Sequence, residues 1–456
     1  MSSSLDLRAA IAVTRFGLGA RPGEMARAAA DPKGYLKAQI RSGGAPQPPG
    51  QLKSSAEMLD AYEQYQTIKQ QAKRANKDDS KAVRREAKQE VLRDGEFEEI
   101  AARARLAATT DAAFAERWAL FWANHFTVSR TRGAAAAVIG PFEREAIRPH
   151  AFGRFEDMLI AGTRHPAMLI YLNQSPSTGP NSPAGGGRRG LNENLAREIL
   201  ELHTVGVDAG YTQADVTEFA KALTGWSTPR IKDGAGAQPF LYRANAHEPG
   251  ARTIMGRTYP DTGQGQAVAV LKDLAAHPGT ARHIARKVAV HFVADEPPPA
   301  LVERLAGSFR ASRGRLDRLA ETLVDSPEAW EPTQRKFKTP YEFVVSGWRA
   351  LDDQPDKPRE VLNLLTKLGQ RPFAAPAPKG WPDDASSWSA PTEIIDRMDV
   401  TRAMVARASL RADPRQLAQQ ALGPLLRPRT LEGLARAETP ERAVSLVLLS
   451  PEFQRR

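Results

Sequence analysis

Apolar residues return every three to four positions through nearly every segment of this 456-residue chain, and the pattern stops only at clusters of glycine and proline. Such spacing gives each segment one apolar helical stripe, and the stripes must be buried against one another. The chain is therefore expected to be mostly α-helical: a large multi-helix body with a charged helical hairpin and at most one small β-hairpin. Four regions follow from the interruptions. Residues 1–50 read as short helices ending in the linker "RSGGAPQPPG", and residues 51–108 as a charged antiparallel helix pair turning near Asn76 to Ser80. Residues 109–351 form a central helical core carrying a polar motif. Residues 352–456 hold the irregular loop "RPFAAPAPKGWPDDASSWSAP" and closing helices. Within the core, Phe114, Trp118, Phe121, Trp122 and His125 recur at helical spacing, while "PFLYRANAHEPGARTIMG" supplies the hairpin, with Tyr242 and Ile254 on its strands.

Composition narrows the chemistry. The chain has no cysteine, which removes disulfides, thiolate zinc sites, iron–sulfur clusters and cysteine nucleophiles together. A bound metal would need His, Asp, Glu or backbone oxygen, so a divalent ion held by carboxylate and imidazole is the cofactor this composition permits. A formal charge of +11 favours acidic partners, yet acids and bases alternate along the chain. The dispersal argues against nucleic acid and leaves a smaller anionic ligand as the expected acidic partner. The apolar run Ala9 to Val13 is too short for a signal-peptide core, and "GAAAAVIG" from Gly133 too short for a membrane span. The chain thus reads as cytoplasmic, with periplasmic association through a partner left open. Gly-x-Ser-x-Gly, His-Glu-x-x-His and dinucleotide fingerprints are all missing.

The densest group of ionisable residues is "NENLAREILELHTVG", Asn192 to Gly206. At about 100° per residue, Leu195, Ile199, Leu200 and His203 share one side, and Glu193, Asn194, Arg197, Glu198 and Glu201 the other. Two accounts compete. In the first, Asn192 caps the helix, Arg197 pairs with the acids four residues away on each side, and Gly206 closes the helix in a left-handed cap. In the second, the polar arc faces inward: Glu198 and Glu201 act as base or metal ligands, His125 completes the metal set or serves as acid, and Arg197 orients an anion. Substrate contacts would then come from Asn192, Asn194, Trp226, His247 and the arginines Arg188 and Arg189 of "GGGRRG", a glycine-rich run just before a helix start. Thr212 with Asp215 is a capping box.

"NENLAREILELHTVGVDAGYTQADVTEFAKALTGW" resembles a signature of the bacterial domain-of-unknown-function 1800 family. So do "WANHFTVS", "HEPGARTIMG", "HPGTARHIARKVAVHFV", "KTPYEFVVSGWRAL" and "PKGWPDDASSW", in order along nearly the whole chain. The resemblance implies a helical protein and brings no settled activity or catalytic residues. It also implies a protein partner, because genes of this family often lie beside those of the domain-of-unknown-function 1501 family. Two readings of function therefore stand: a hydrolase-type or metal-assisted enzyme using a carboxylate/histidine cleft, and a non-catalytic accessory or scaffold protein acting with that partner. Two positions depart from the family pattern: "YLNQ" stands where an aspartate is common, and Arg252 where lysine is. As motif positions, Asn192, Glu193, Asn194, Arg197, Glu198 and Glu201 form either a buried polar network or a site.

Overall fold

A computed structural model describes residues 4–74, 94–130, 133–186, 190–229, 239–409 and 413–456, and among them the chain is mostly α-helical. Many prolines that read as stops turn out to be starts. Pro278, Pro299, Pro340, Pro391 and Pro440 each occupy a first helical position, where φ is preset and the missing N–H has no helical partner to lose. Thr212 with Asp215 and Thr339 with Glu342 add capping boxes. His165 and His277 cap the helices that follow them by accepting N–H groups two residues on.

The charged helices Ser55–Arg74 and Asp94–Thr109 both lean on the helix Gly133–Phe142. The expected turn at Asn76 to Ser80 lies outside the described residues. Two antiparallel two-stranded ladders occur among the described residues, one of them the short hairpin Arg252–Ile254 with Arg257–Tyr259. Tyr242 and Ile254 both stand on strands, but of different ladders: Tyr242 pairs with Trp226, and Ile254 with Arg257. The 3-10 turn Ala244–Ala246 between them keeps the chain from running on as a single hairpin. No helix among the described residues is long and apolar enough to cross a membrane.

Buried apolar side chains fall into two main clusters. The first is built around the helices Ala113–His125 and Pro278–Phe292, where Trp118 meets Trp122 and Phe292 at ring separations of 6.0 and 5.8 Å. The second joins the Asp94–Thr109 helix to the helices Pro340–Ala350, Pro358–Lys367, Pro391–Arg407 and Pro440–Leu449. Charge is buried beside the hydrocarbon in both. Arg117, Arg148, Arg349, Arg397 and Arg456 rank among the largest fully buried side chains. A buried guanidinium needs fixed partners, and Arg148 has them: both terminal nitrogens bond Glu116, at 2.6 and 2.8 Å, and Glu143 accepts at 2.6 Å.

Three π-helical turns among the described residues, Ala12–Phe16, Glu143–Ile147 and Ile199–His203, each carry a buried ionisable residue. The wider turn brings residues five apart onto one face, which is how Glu143 meets Arg148. Glu116→Ala strips the buried Arg148 of its two-point partner. Equilibrium unfolding in urea should show a loss of about 3–5 kcal/mol, against under about 1 kcal/mol for Glu303→Ala in the exposed pair with Arg282. Equal losses for the two variants would contradict a fold held by buried charge.

Candidate functional site

A cavity of about 130 Å³ opens along the seam between the two apolar clusters. Leu120, Val128, Phe142, Leu365, Phe373 and Trp381 furnish apolar wall, and Arg117, His291, Tyr341, Glu342 and Asp383 furnish the polar part relevant to chemistry. A mostly apolar cleft with a few polar groups facing it is the usual form of a small-molecule site.

Local sequence explains why these side chains arrive there. "TPYE" begins a helix with Thr339 as cap, so the helix start aims Tyr341 and Glu342 at the seam. The loop carrying Asp383 is clamped by Asn124, whose side chain donates to the Trp381 carbonyl at 3.0 Å and accepts from the Trp381 N–H at 2.8 Å. Gly380 allows that approach, for at φ +84° a Cβ would lie 2.5 Å from the Asn124 carbonyl oxygen. Lys336 pins the loop from the other side, donating to the Asp383 carbonyl and to Asp295. Arg456 is delivered by an antiparallel bridge in which Phe337 faces Arg455.

Glu342 is the hub. One carboxylate oxygen takes Arg117 and, at 2.8 Å, Arg456; the other accepts Arg456 Nε at 3.1 Å and the Thr339 N–H at 2.9 Å. Desolvation would raise its pKa, but Arg117 and Arg456 outweigh it and hold the group at about 2. Arg117 is pulled down to about 9 by burial and by Arg456. On the far wall, Arg103 pairs with Glu143 at 2.9 Å and lies over the Tyr341 ring at 4.9 Å.

His291 and Asp383 form a dyad, Nδ1 to Oδ2 at 2.7 Å. Burial works to raise the Asp383 pKa, yet His291, Lys336 and Arg456 hold it far below the usual carboxylate range. An ionised Asp383 only accepts, so the proton of neutral His291 sits on Nδ1 and Nε2 carries a lone pair. Nε2 is buried and has no hydrogen-bond partner among the described residues. Burial also lowers the His291 pKa, with Asp383 partly compensating, so the ring stays neutral to below its ordinary range.

The residues singled out in the sequence lie elsewhere and are not drawn into one cluster. Glu193 accepts from Thr217, Gln213 and Arg197, tying the Asn194–Glu198 helix to the Gln213–Leu223 helix. Arg197 also approaches Glu201 at 3.6 Å, and Glu198 is half-buried, its pKa raised by burial and by Glu201. Glu193, not Asn192, stands at the helix cap; the Asn192 side chain accepts the Asn194 N–H at 3.0 Å from one residue earlier, and Asn194 is exposed. His125 is in the core beside His203 and His283, at ring separations of 5.9 and 6.4 Å, and bonds the His203 carbonyl at 3.2 Å. His247 bonds the Thr224 carbonyl at 3.0 Å and approaches Asp261, while Trp226 is buried under Arg164. Arg188 and Arg189 lie outside the described residues. No group of three or more His, Asp or Glu able to hold a metal occurs among the described residues, so the geometry does not assemble Glu198, Glu201 and His125 around an ion.

Arg117, His291, Tyr341, Glu342, Asp383 and Arg456 escaped the sequence reading. One signal was present: the "TPYE" capping box marks Glu342 as structurally fixed. A family model described as a protein of unknown function (DUF1800) matches residues 11–455. No curated protein and no solved structure matches the chain.

The imidazole cluster has a measurable consequence. Burial, followed by Lys287 and His283, lowers His203 to about 3, and burial followed by Lys287 lowers His283 to about 4. Between those values and about 6.5 the unfolded chain binds protons that the folded chain does not, so their stabilisation is complete above that window and drains away as pH falls through it. Across pH 6 to 5, His203→Gln should flatten the dependence of unfolding free energy on pH by up to about 1.4 kcal/mol per unit. An unchanged slope in urea titrations would show that His203 is not held neutral.

Proposed function

The chain belongs to this DUF1800 family of proteins of unknown function, and on that premise we propose that it is an enzyme of hydrolase type. Its base is His291, acting on water inside the seam cavity. The observation that carries this reading is the buried, partnerless Nε2 of an imidazole whose other nitrogen is fixed on Asp383 at 2.7 Å. A lone pair so oriented accepts a proton from a water held against it, and Asp383 stabilises the imidazolium that results. Apolar walls keep bulk water away and strengthen each charge interaction within. Asp383 and Arg117 are positioned by the same ion network, so the base is oriented before any substrate arrives.

The test is a panel of chromogenic acyl esters, anilides, phosphates and glycosides, assayed with purified wild type and His291→Gln. Turnover should fall by about 10²–10⁴-fold in the variant. The wild-type kcat/KM should rise with pH through an inflection below 6.5, because burial of His291 outweighs the pull of Asp383. Wild type no faster than His291→Gln across the whole panel overturns the assignment.

A further inference from the structure

Resting on the hydrolase reading of the same cleft, we propose that its substrate is an uncharged acyl compound, an ester or amide on an apolar body, whose carbonyl oxygen is held by Tyr341 Oη and Arg117 Nε. Apart from Arg103 Nε, which faces Glu143 at 2.9 Å, three residues lining the cavity carry a buried polar atom without a hydrogen-bond partner among the described residues: His291 Nε2, Arg117 Nε and Tyr341 Oη. They differ in kind. His291 accepts, while the other two donate, the combination that an attacking water and a carbonyl oxygen require. Nε is the Arg117 nitrogen that makes no hydrogen bond, whereas Nη1 already donates to the Gly17 carbonyl at 2.7 Å and Nη2 to Glu342. Tyr341 keeps its proton and so remains a donor, because desolvation raises its pKa.

The charge balance of the walls selects among substrates. Arg117, Arg456 and Lys336 are matched by Glu342, Asp383 and Asp295, and Arg103 and Arg148 by Glu143 and Glu116. Among the described residues no lining cation is left over for a phosphate dianion, so a neutral carbonyl that gains charge only during reaction is the better fit. Leu120, Val128, Ile139, Phe142, Leu365 and Phe373 supply room for an apolar acyl or alcohol portion.

With an ester the step balances without any co-reactant. Water oxygen bonds the carbonyl carbon as its proton passes to His291 Nε2, and the carbonyl π electrons move onto the oxygen facing Tyr341 and Arg117. The carbonyl then reforms, the bond to the leaving oxygen breaks, and His291 returns its proton to that oxygen, giving acid and alcohol.

The test is calorimetric binding of an unreactive ketone, 4-phenyl-2-butanone, compared with phenyl phosphate and 3-phenylpropylamine. Wild type and His291→Gln should both bind the ketone, and Tyr341→Phe should bind it about tenfold more weakly. Tyr341→Phe should nevertheless melt no lower than wild type, since its hydroxyl has no protein partner to lose; a purely structural tyrosine would lower the melting temperature instead. Ketone binding that is absent, unchanged in Tyr341→Phe, or weaker than that of phenyl phosphate overturns the substrate class. Failure of the hydrolase reading looks different: ketone binding persists, with its Tyr341 dependence, while His291→Gln turns over the panel as fast as wild type.

Discussion

One carboxylate holds the two halves of the molecule in register. Glu342 starts a helix of the second apolar cluster, Arg117 rides on a helix of the first, and Arg456 comes from a bridged segment beside Phe337. Apolar packing alone would let two such clusters slide, because hydrophobic burial is non-directional. A shared carboxylate between two guanidiniums permits one geometry and penalises its neighbours with unpaired buried charge. The same logic repeats where Glu116 and Glu143 share Arg148, and where Glu24 meets Arg349 at 2.7 Å. Such networks contribute little over a well-packed apolar alternative, but they decide which alternative is adopted.

Much of the architecture was legible because helices advertise themselves through local spacing. The aromatic stripe from Phe114 to His125 is the helix its period implies, and Thr212 caps with Asp215 as its residues suggest. Prolines were ambiguous: the residue that ends one helix often begins the next, as Pro278 does immediately after His277. The π turns were not legible at all. A one-residue change in winding is set by which partner waits on the far side, and neither Arg148 for Glu143 nor the core around His203 can be read from period.

The cleft was the least legible feature. Local density of charge drew attention to Glu193, Arg197, Glu198 and Glu201, yet neighbouring acids and bases on a helix satisfy one another, as Glu193 and Arg197 do here. Charges that meet across the fold are far apart in the chain: Arg117 is 225 positions from Glu342, and His291 is 92 from Asp383. On its own helix Arg117 looks like an ordinary solvated arginine following Glu116. Only tertiary packing turns those two consecutive residues toward different buried partners.

That separation bears on the state of the imidazole. His291 belongs to a helix of the first cluster, whereas Asp383 sits on a loop between two helices of the second. The dyad therefore exists only when the clusters are docked, and the docking is governed by the ions around Glu342. Burial at the seam lowers the imidazole pKa, and the carboxylate across the seam pulls it partly back. Opening the seam would lose both effects at once: the ring would return toward its ordinary basicity, and its tautomer would no longer be fixed. The imidazole is thus oriented and kept neutral by the same packing and the same ions that join the clusters.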